Sequence, residues 1–161
     1  MTSPAHLYTF GYEGLDIAVF IERLQSAGIR SVVDVRELPL SRKRGFSKTA
    51  FNEALAAAGI AYFHAPALGC PRDVREQYKL DQSWSRYTAG FMKHLGQQRA
   101  AVAELAKLAK STSACLVCFE ADFNFCHRTY VARAAHAAGA PSVMHLMART
   151  MCSDSGLRAA A

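Results

Sequence analysis

Short apolar runs alternate with amphipathic stretches along the whole chain. "HLYTFG" is an apolar run closed by Gly11 and predicts a first strand. In "GLDIAVFIERLQSAGI", Ile17, Phe20, Ile21 and Leu24 recur at helical spacing, with Asp16 placed to cap the helix and Gly28 to stop it. "SVVDVR" reads as a second strand, Val-rich and without polar alternation, as a strand buried on both faces should be. The basic loop "ELPLSRKRGFS" follows, and Ser47 is a cap candidate for "KTAFNEALAAAG", whose inner stripe is Phe51, Ala54, Leu55 and Ala58.

"IAYFHA" predicts a third strand. "PALGCPRDVREQYKLDQSWS" has no clear period and reads as a long loop or short-helix excursion, a kind of segment that tends to be functional in compact domains. "RYTAGFMKHLGQQRAAVAELAKLAK" predicts one long helix bent near Gly96. "ACLVCFE" reads as a fourth strand, "FCHRTYVARAAHAAG" as a helix ended by Gly139, and "SVMHLM" as a fifth strand. Strands joined in this way by helices need crossover connections. The expected fold class is therefore α/β: a single open, mostly parallel sheet of about five strands with helices on both faces, in Rossmann-like or flavodoxin-like layering. One domain over 1–147 is expected, with 148–161 as a poorly ordered tail.

Composition narrows the classes. At 161 residues, 51% hydrophobic and 20% charged, the chain has ordinary globular make-up. No stretch approaches the roughly 18 to 20 apolar residues of a membrane span. The first residues lack a basic and apolar leader, and the five cysteines show no disulfide spacing, so reduced thiols in a cytoplasmic setting are expected. Formal charge is +6, and 13 of the 19 basic residues are Arg. The guanidinium suits bidentate grip on phosphate or carboxylate, so an anionic partner is expected, either a phosphorylated small molecule or nucleic acid. Charge leaves that choice and the oligomeric state open.

In open α/β sheets ligands bind beyond the carboxyl ends of the strands. Three unusual loops fall there: Gly11-Tyr12-Glu13, Asp34 to Arg44, and Glu120 to Arg128. In the second, Arg36, Arg42, Lys43, Arg44 and Lys48 lie within thirteen residues with Glu37 alone opposing them. Arg36, Ser41 and Arg42 are the anion-binding candidates, with a solvated surface loop as the structural alternative. In the third, Asn124 as a cap would place Cys126 and His127 in the first helical turn beside Arg128. Backbone N–H groups there favour thiolate. Glu120 is a candidate general base or an orienting partner for Arg128 or His127. The expected catalytic residues are thus Glu120, Cys126 and His127. Tyr12, Asp34, Arg36, Ser41, Arg42 and Arg128 are expected on the substrate. Simple packing or ion pairing is the alternative for each.

No metal and no cofactor is expected. Cys115 and Cys118 differ by an odd number within a strand and face opposite sides of the sheet, so they do not form the knuckle of a zinc clasp.

Together "TFGYEG", "VDVRELPLSRKRGFS", "GIAYFHAPALGCP", "LVCFEADFNFCHR" and "VMHL" resemble the bacterial and archaeal family called domain of unknown function 488, over about Leu7 to Leu146. The resemblance implies a small cytoplasmic α/β protein and marks Asp34, Arg36, Pro39, Ser41, Arg42, Gly69, Glu120, Cys126, His127 and Arg128 as motif positions. It implies no particular reaction. A looser likeness in layout links "VDVRE" and "VCFEADFNFCHR" to rhodanese-like sulfurtransferases and their phosphatase relatives, although the Cys-to-Arg spacing differs.

Three functions remain. An enzyme on a phosphorylated, nucleotide-like or nucleic-acid substrate leads. A binding module with Tyr12, Tyr62, Trp84 and Tyr87 as stacking platforms follows, and thiol chemistry on Cys126, or less so Cys118, comes third.

Overall fold

The alternation becomes a six-stranded sheet in the computed structural model of the protein, which describes residues 3–156. Strands β1 (His6–Gly11), β2 (Ser31–Asp34), β3 (Ala61–His64), β4 (Ala114–Cys118), β5 (Ser142–Leu146) and β6 (Met151–Ser153) lie in the order β3-β2-β4-β1-β5-β6. All neighbours pair in parallel except β5 and β6. Strands β2 and β4 are buried at every position, as strands covered on both sides are, the polar ends of β2 (Ser31 and Asp34) included.

Helices α1 (Ile17–Ser26) and α2 (Lys48–Ala57) cover one face. Phe20, Leu24, Phe51 and Leu55 pack there on Val32, Cys115 and Val117. Asp16 caps α1 through its carboxylate, which accepts from Val19 N at 2.9 Å, and Gly28 closes it with a positive φ of 74°. On the other face lie α4 (Trp84–Gly96), α5 (Arg99–Ser111) and α6 (His127–Ala137), whose Phe91, Leu105 and Val131 pack on Val33, Leu116 and Cys118. Cys115 and Cys118 thus belong to opposite faces, as their spacing dictates. The period-free segment is ordered as a 3-10 turn, Pro66–Leu68, and helix α3 (Arg72–Asp81). Helix α3 buries none of its own residues and lies on α4, with Val74 over Gly90.

Two expectations need correction, the single bent helix and the poorly ordered tail. The stretch read as one bent helix is two, α4 and α5, broken at Gln97 and Gln98, where Gln98 leaves helical geometry (φ −108°, ψ 36°). The sheet has six strands, because part of the supposed tail is its last strand. In 148–156, β6 pairs antiparallel with β5, and Asp154 behind it accepts from Arg133 Nε and Nη2 at 3.0 and 3.1 Å. His145 Nε2 adds a 2.9 Å contact to Asp154, its Nδ1 lies 2.7 Å from the Thr9 hydroxyl, and Phe123 stacks on its ring at 3.9 Å. The remainder of the expected tail, 157–161, lies outside the described residues. Among the described residues no helix is long and apolar enough to cross a membrane.

Candidate active site

The order of the sheet makes β2, β4 and β1 neighbours, so the three loops singled out from the sequence leave its carboxyl edge side by side. They border a cavity of about 370 Å³. That is within the range of roughly 300–1,000 Å³ that small-molecule sites occupy.

The loop after β2 is braced from beneath. Asp34, fully buried, accepts from Arg36 Nε at 2.8 Å and Nη2 at 2.7 Å, and from the Tyr62 hydroxyl at 2.7 Å. Arg36 Nη1 donates to Phe46 O at 2.7 Å and to the Tyr12 hydroxyl at 3.2 Å. Tyr12 stacks on Phe46 with ring centres 4.2 Å apart. Arg36 and Tyr12 border the cavity, but most of the guanidinium is committed inside the protein and its charge is matched by Asp34. Asp34 does not reach the cavity; it holds Arg36.

The loop after β4 brings the reactive groups together. Gly11 at the end of β1 passes so close to the Glu120 carbonyl that a side chain there would overlap it. Glu13 accepts from Ala121 N at 3.0 Å and pins the same loop. Asp122, and not Asn124, supplies the local cap: it accepts from Asn124 N at 2.9 Å and starts the 3-10 turn Phe123–Phe125. Helix α6 then begins at His127, with Cys126 just ahead of its first turn. This hairpin returns Cys126 and His127 to the end of β4. Cys118 Sγ lies 3.4 Å from Glu120 Oε2 and 3.8 Å from His127 Nδ1. The other ring nitrogen, Nε2, is 2.7 Å from Val35 O. A carbonyl only accepts, so Nε2 carries the hydrogen and Nδ1 faces the sulfurs.

These groups shift one another. Burial, and then the nearby Cys126, push the Glu120 carboxyl up to about 7. Burial opposes charge on Cys126, but hydrogen bonding from Cys118, the Arg128 guanidinium and His127 outweigh it and hold this thiol well below its ordinary range. Cys118, the donor to Cys126, is held high by that bond and by burial. His127 is raised, its burial overcome by the bond to Cys126. Arg128 is fully buried; Nη1 donates to the Glu120 carbonyl, while Nε and Nη2 have no partner among the described residues.

Of the expected residues, Tyr12, Arg36, Ser41, Glu120 and His127 border the cavity. Cys126 is 1% exposed and is not part of the cavity lining, which includes the thiols of Cys118 and Cys70. Arg128 also lies behind the wall, and Arg42 is exposed away from the cavity lining. Arg75, Tyr78 and Lys79 from α3, which were not anticipated, complete the wall together with Trp84 and Tyr87 from α4; of the four expected stacking platforms, Tyr12, Trp84 and Tyr87 border the cavity and Tyr62 instead donates to Asp34. Arg75 Nη2 donates to Glu37 Oε1 at 2.9 Å and fastens α3 to the loop after β2. Trp84 stacks on Tyr87 with centres 4.6 Å apart. For α3 the one signal was the length of the period-free segment; its pairing with the site is purely tertiary. Cys70, buried and facing Tyr87, is pushed up to about 11 by burial and is a packing thiol.

A mostly parallel α/β sheet with a carboxylate, two thiols and an imidazole gathered at its carboxyl edge defines the class of protein. The chain belongs to the family described as Domain of unknown function DUF488, which matches residues 16–135. The match runs from the start of α1 into α6 and includes Glu120, Cys126, His127 and Arg128; Tyr12 precedes it. No curated protein and no solved structure matches the chain.

Proposed function

We propose that the protein is an enzyme acting on a phosphorylated, nucleotide-like substrate held in this cavity, in the cytoplasmic setting its five unpaired cysteines fit. One observation carries this reading: Glu120, Cys118 and His127 meet at a cavity that aromatic and cationic side chains also line. Grip alone needs no carboxylate set against thiol and imidazole. Glu120 is the acid–base group, Arg75 and Lys79 meet the anionic end of the substrate, and Trp84 with Tyr87 supports a planar group. Arg36 and Asp34 act as positioning residues, and Ser41 adds a hydroxyl at the rim. The cavity volume favours one nucleotide-sized group over a length of polymer.

A binding module without turnover is the second reading, favoured by the stacked aromatic pair and by the exposed basic loop around Arg42. Nucleophilic thiol chemistry on Cys126 has less support, because Cys126 is buried and outside the cavity lining.

The test is a thermal-shift screen of nucleotides and phosphorylated metabolites, followed by turnover assays on the hits. Glu120→Gln should retain binding while turnover falls by roughly 10²-fold or more. Arg75→Ala with Lys79→Ala should weaken binding instead. Equal turnover by Glu120→Gln refutes the catalytic assignment, and binding without turnover in the native protein establishes the second reading.

A further inference from the structure

The distinctive grouping in the molecule is not a pair but a triad. Cys118 Sγ, Cys126 Sγ and a ring nitrogen of His127 all lie within 4.8 Å of one another, and all three residues are buried. We propose that Cys118, Cys126 and His127 bind a zinc ion, with the fourth coordination position open to the cavity beside Glu120.

Geometry is the first support. Zinc bonds of about 2.3 Å to sulfur and about 2.0–2.1 Å to nitrogen, at tetrahedral angles, place S and N roughly 3.6 Å apart. Cys118 Sγ and His127 Nδ1 are 3.8 Å apart, so a small contraction suffices. The second support is the far side of the imidazole. His127 Nε2 donates to Val35 O, which fixes the lone pair on Nδ1 toward the sulfurs, the outer arrangement typical of ligating histidines.

Charge is the third. Among the described residues no carboxylate pairs with the buried Arg128, and two of its nitrogens lack partners. Two thiolates, Glu120, one Zn²⁺ and Arg128 sum to zero. The chain also supplies one ligand from the end of β4 and two from the hairpin that returns to it, so the sheet holds the site open before any ion arrives. A Cys₂His set with one free position is a water-activating arrangement rather than a closed structural one. Sequence spacing alone concealed it, since the tempting pair, Cys115 and Cys118, is split by the sheet.

This inference deepens the catalytic reading above and rests on it only for the identity of the substrate. Its test reads the ion itself. Protein purified under reducing conditions without chelator is assayed for metal by mass spectrometry, then stripped and titrated with Co²⁺. The expected result is a single ion per chain, with thiolate-to-cobalt charge-transfer absorption and tetrahedral d–d bands. Cys118→Ser, Cys126→Ser and His127→Ala should each lose the bands, while Cys115→Ser and Cys152→Ser keep them. If a ligand variant does not fold, the native protein still decides: Zn²⁺ should shield Cys118 and Cys126, but not Cys152, from alkylation mapped by peptide mass. Metal-free protein that gives no cobalt bands and no shielding overturns the site, as do bands that survive Cys126→Ser. Loss of turnover in Glu120→Gln without any metal would refute the ion and leave the enzyme standing; a bound ion in a protein that takes no phosphorylated ligand would do the reverse.

Discussion

His127 donates through Nε2 to the backbone carbonyl of Val35 at 2.7 Å, tying the start of α6 to the turn after β2. The bond joins two of the three loops that border the cavity and is shielded from water. Replacing the imidazole by a ring of similar shape without nitrogens strands that carbonyl. His127→Phe, measured by urea denaturation in the presence of chelator, is expected to lose about 1–3 kcal/mol. An unchanged midpoint would mean that the carbonyl finds another donor.

Asp34 and Arg36 form a buried pair beneath the cavity, so removing one partner strands the other's charge. Asp34→Asn should cost about 3–5 kcal/mol, whereas the double variant Asp34→Asn with Arg36→Met should recover a large part of it. Chemical denaturation of the single and double variants checks this. Equal losses in both would show that Arg36 matters through its bonds to Phe46 and Tyr12 instead.

The fastening of β6 predicts acid sensitivity. Burial lowers His145 below its ordinary 6.5; Asp154 raises it but does not win, and Arg128 and Arg133 lower it further, with the Thr9 hydroxyl and the Phe123 ring as uncharged neighbours. A base whose folded value is depressed contributes its full stability above the unfolded value of 6.5. That contribution is lost as pH falls, since the unfolded chain takes up a proton the folded one resists. Asp154, held below its ordinary 3.8 by Arg133 and His145 against the opposing effect of burial, adds a second loss at lower pH. The urea midpoint should therefore fall between pH 6.5 and 5 in the native protein and stay flatter in His145→Gln. Parallel profiles would exclude His145 as the source.

Two glycines should respond in opposite ways. A Cβ at Gly11 meets the Glu120 carbonyl and Arg128 Nη1, so Gly11→Ala should cost about 1–3 kcal/mol through overpacking and displace Glu120, lowering turnover as well. Gly96, at the end of α4, has open space around it; Gly96→Ala should gain about 0.5–1 kcal/mol from reduced chain entropy. Thermal melts of both variants, with turnover measured on Gly11→Ala, suffice.

How far the chain disclosed itself depends on the range of the forces involved. The five longer strands and the caps at Asp16 and Gly28 were legible because period and capping are local. Strand β6 was not: all three residues are exposed, and Met-Cys-Ser carries no alternation. What holds it is Asp154, twenty-one residues from Arg133 and nine from His145. At the site, Glu120 and His127 could be placed at a strand end and a helix start from spacing alone. That Cys118 lines the cavity and Cys126 does not could not be read in this way, because it depends on how the Asp122 turn folds the chain back. The α3–α4 wall offered no period to read, since α3 buries nothing of its own.

Trp84 is the only tryptophan in the chain, and it stands on the cavity wall within 5.4 Å of Phe125 and stacked on Tyr87. Tryptophan emission, excited at wavelengths the six tyrosines do not absorb, therefore originates at the site alone. Any compound that settles against the indole changes the water it contacts and should shift or quench its emission. The protein carries its own optical reporter of occupancy, and unlabelled compound libraries can be read against it directly.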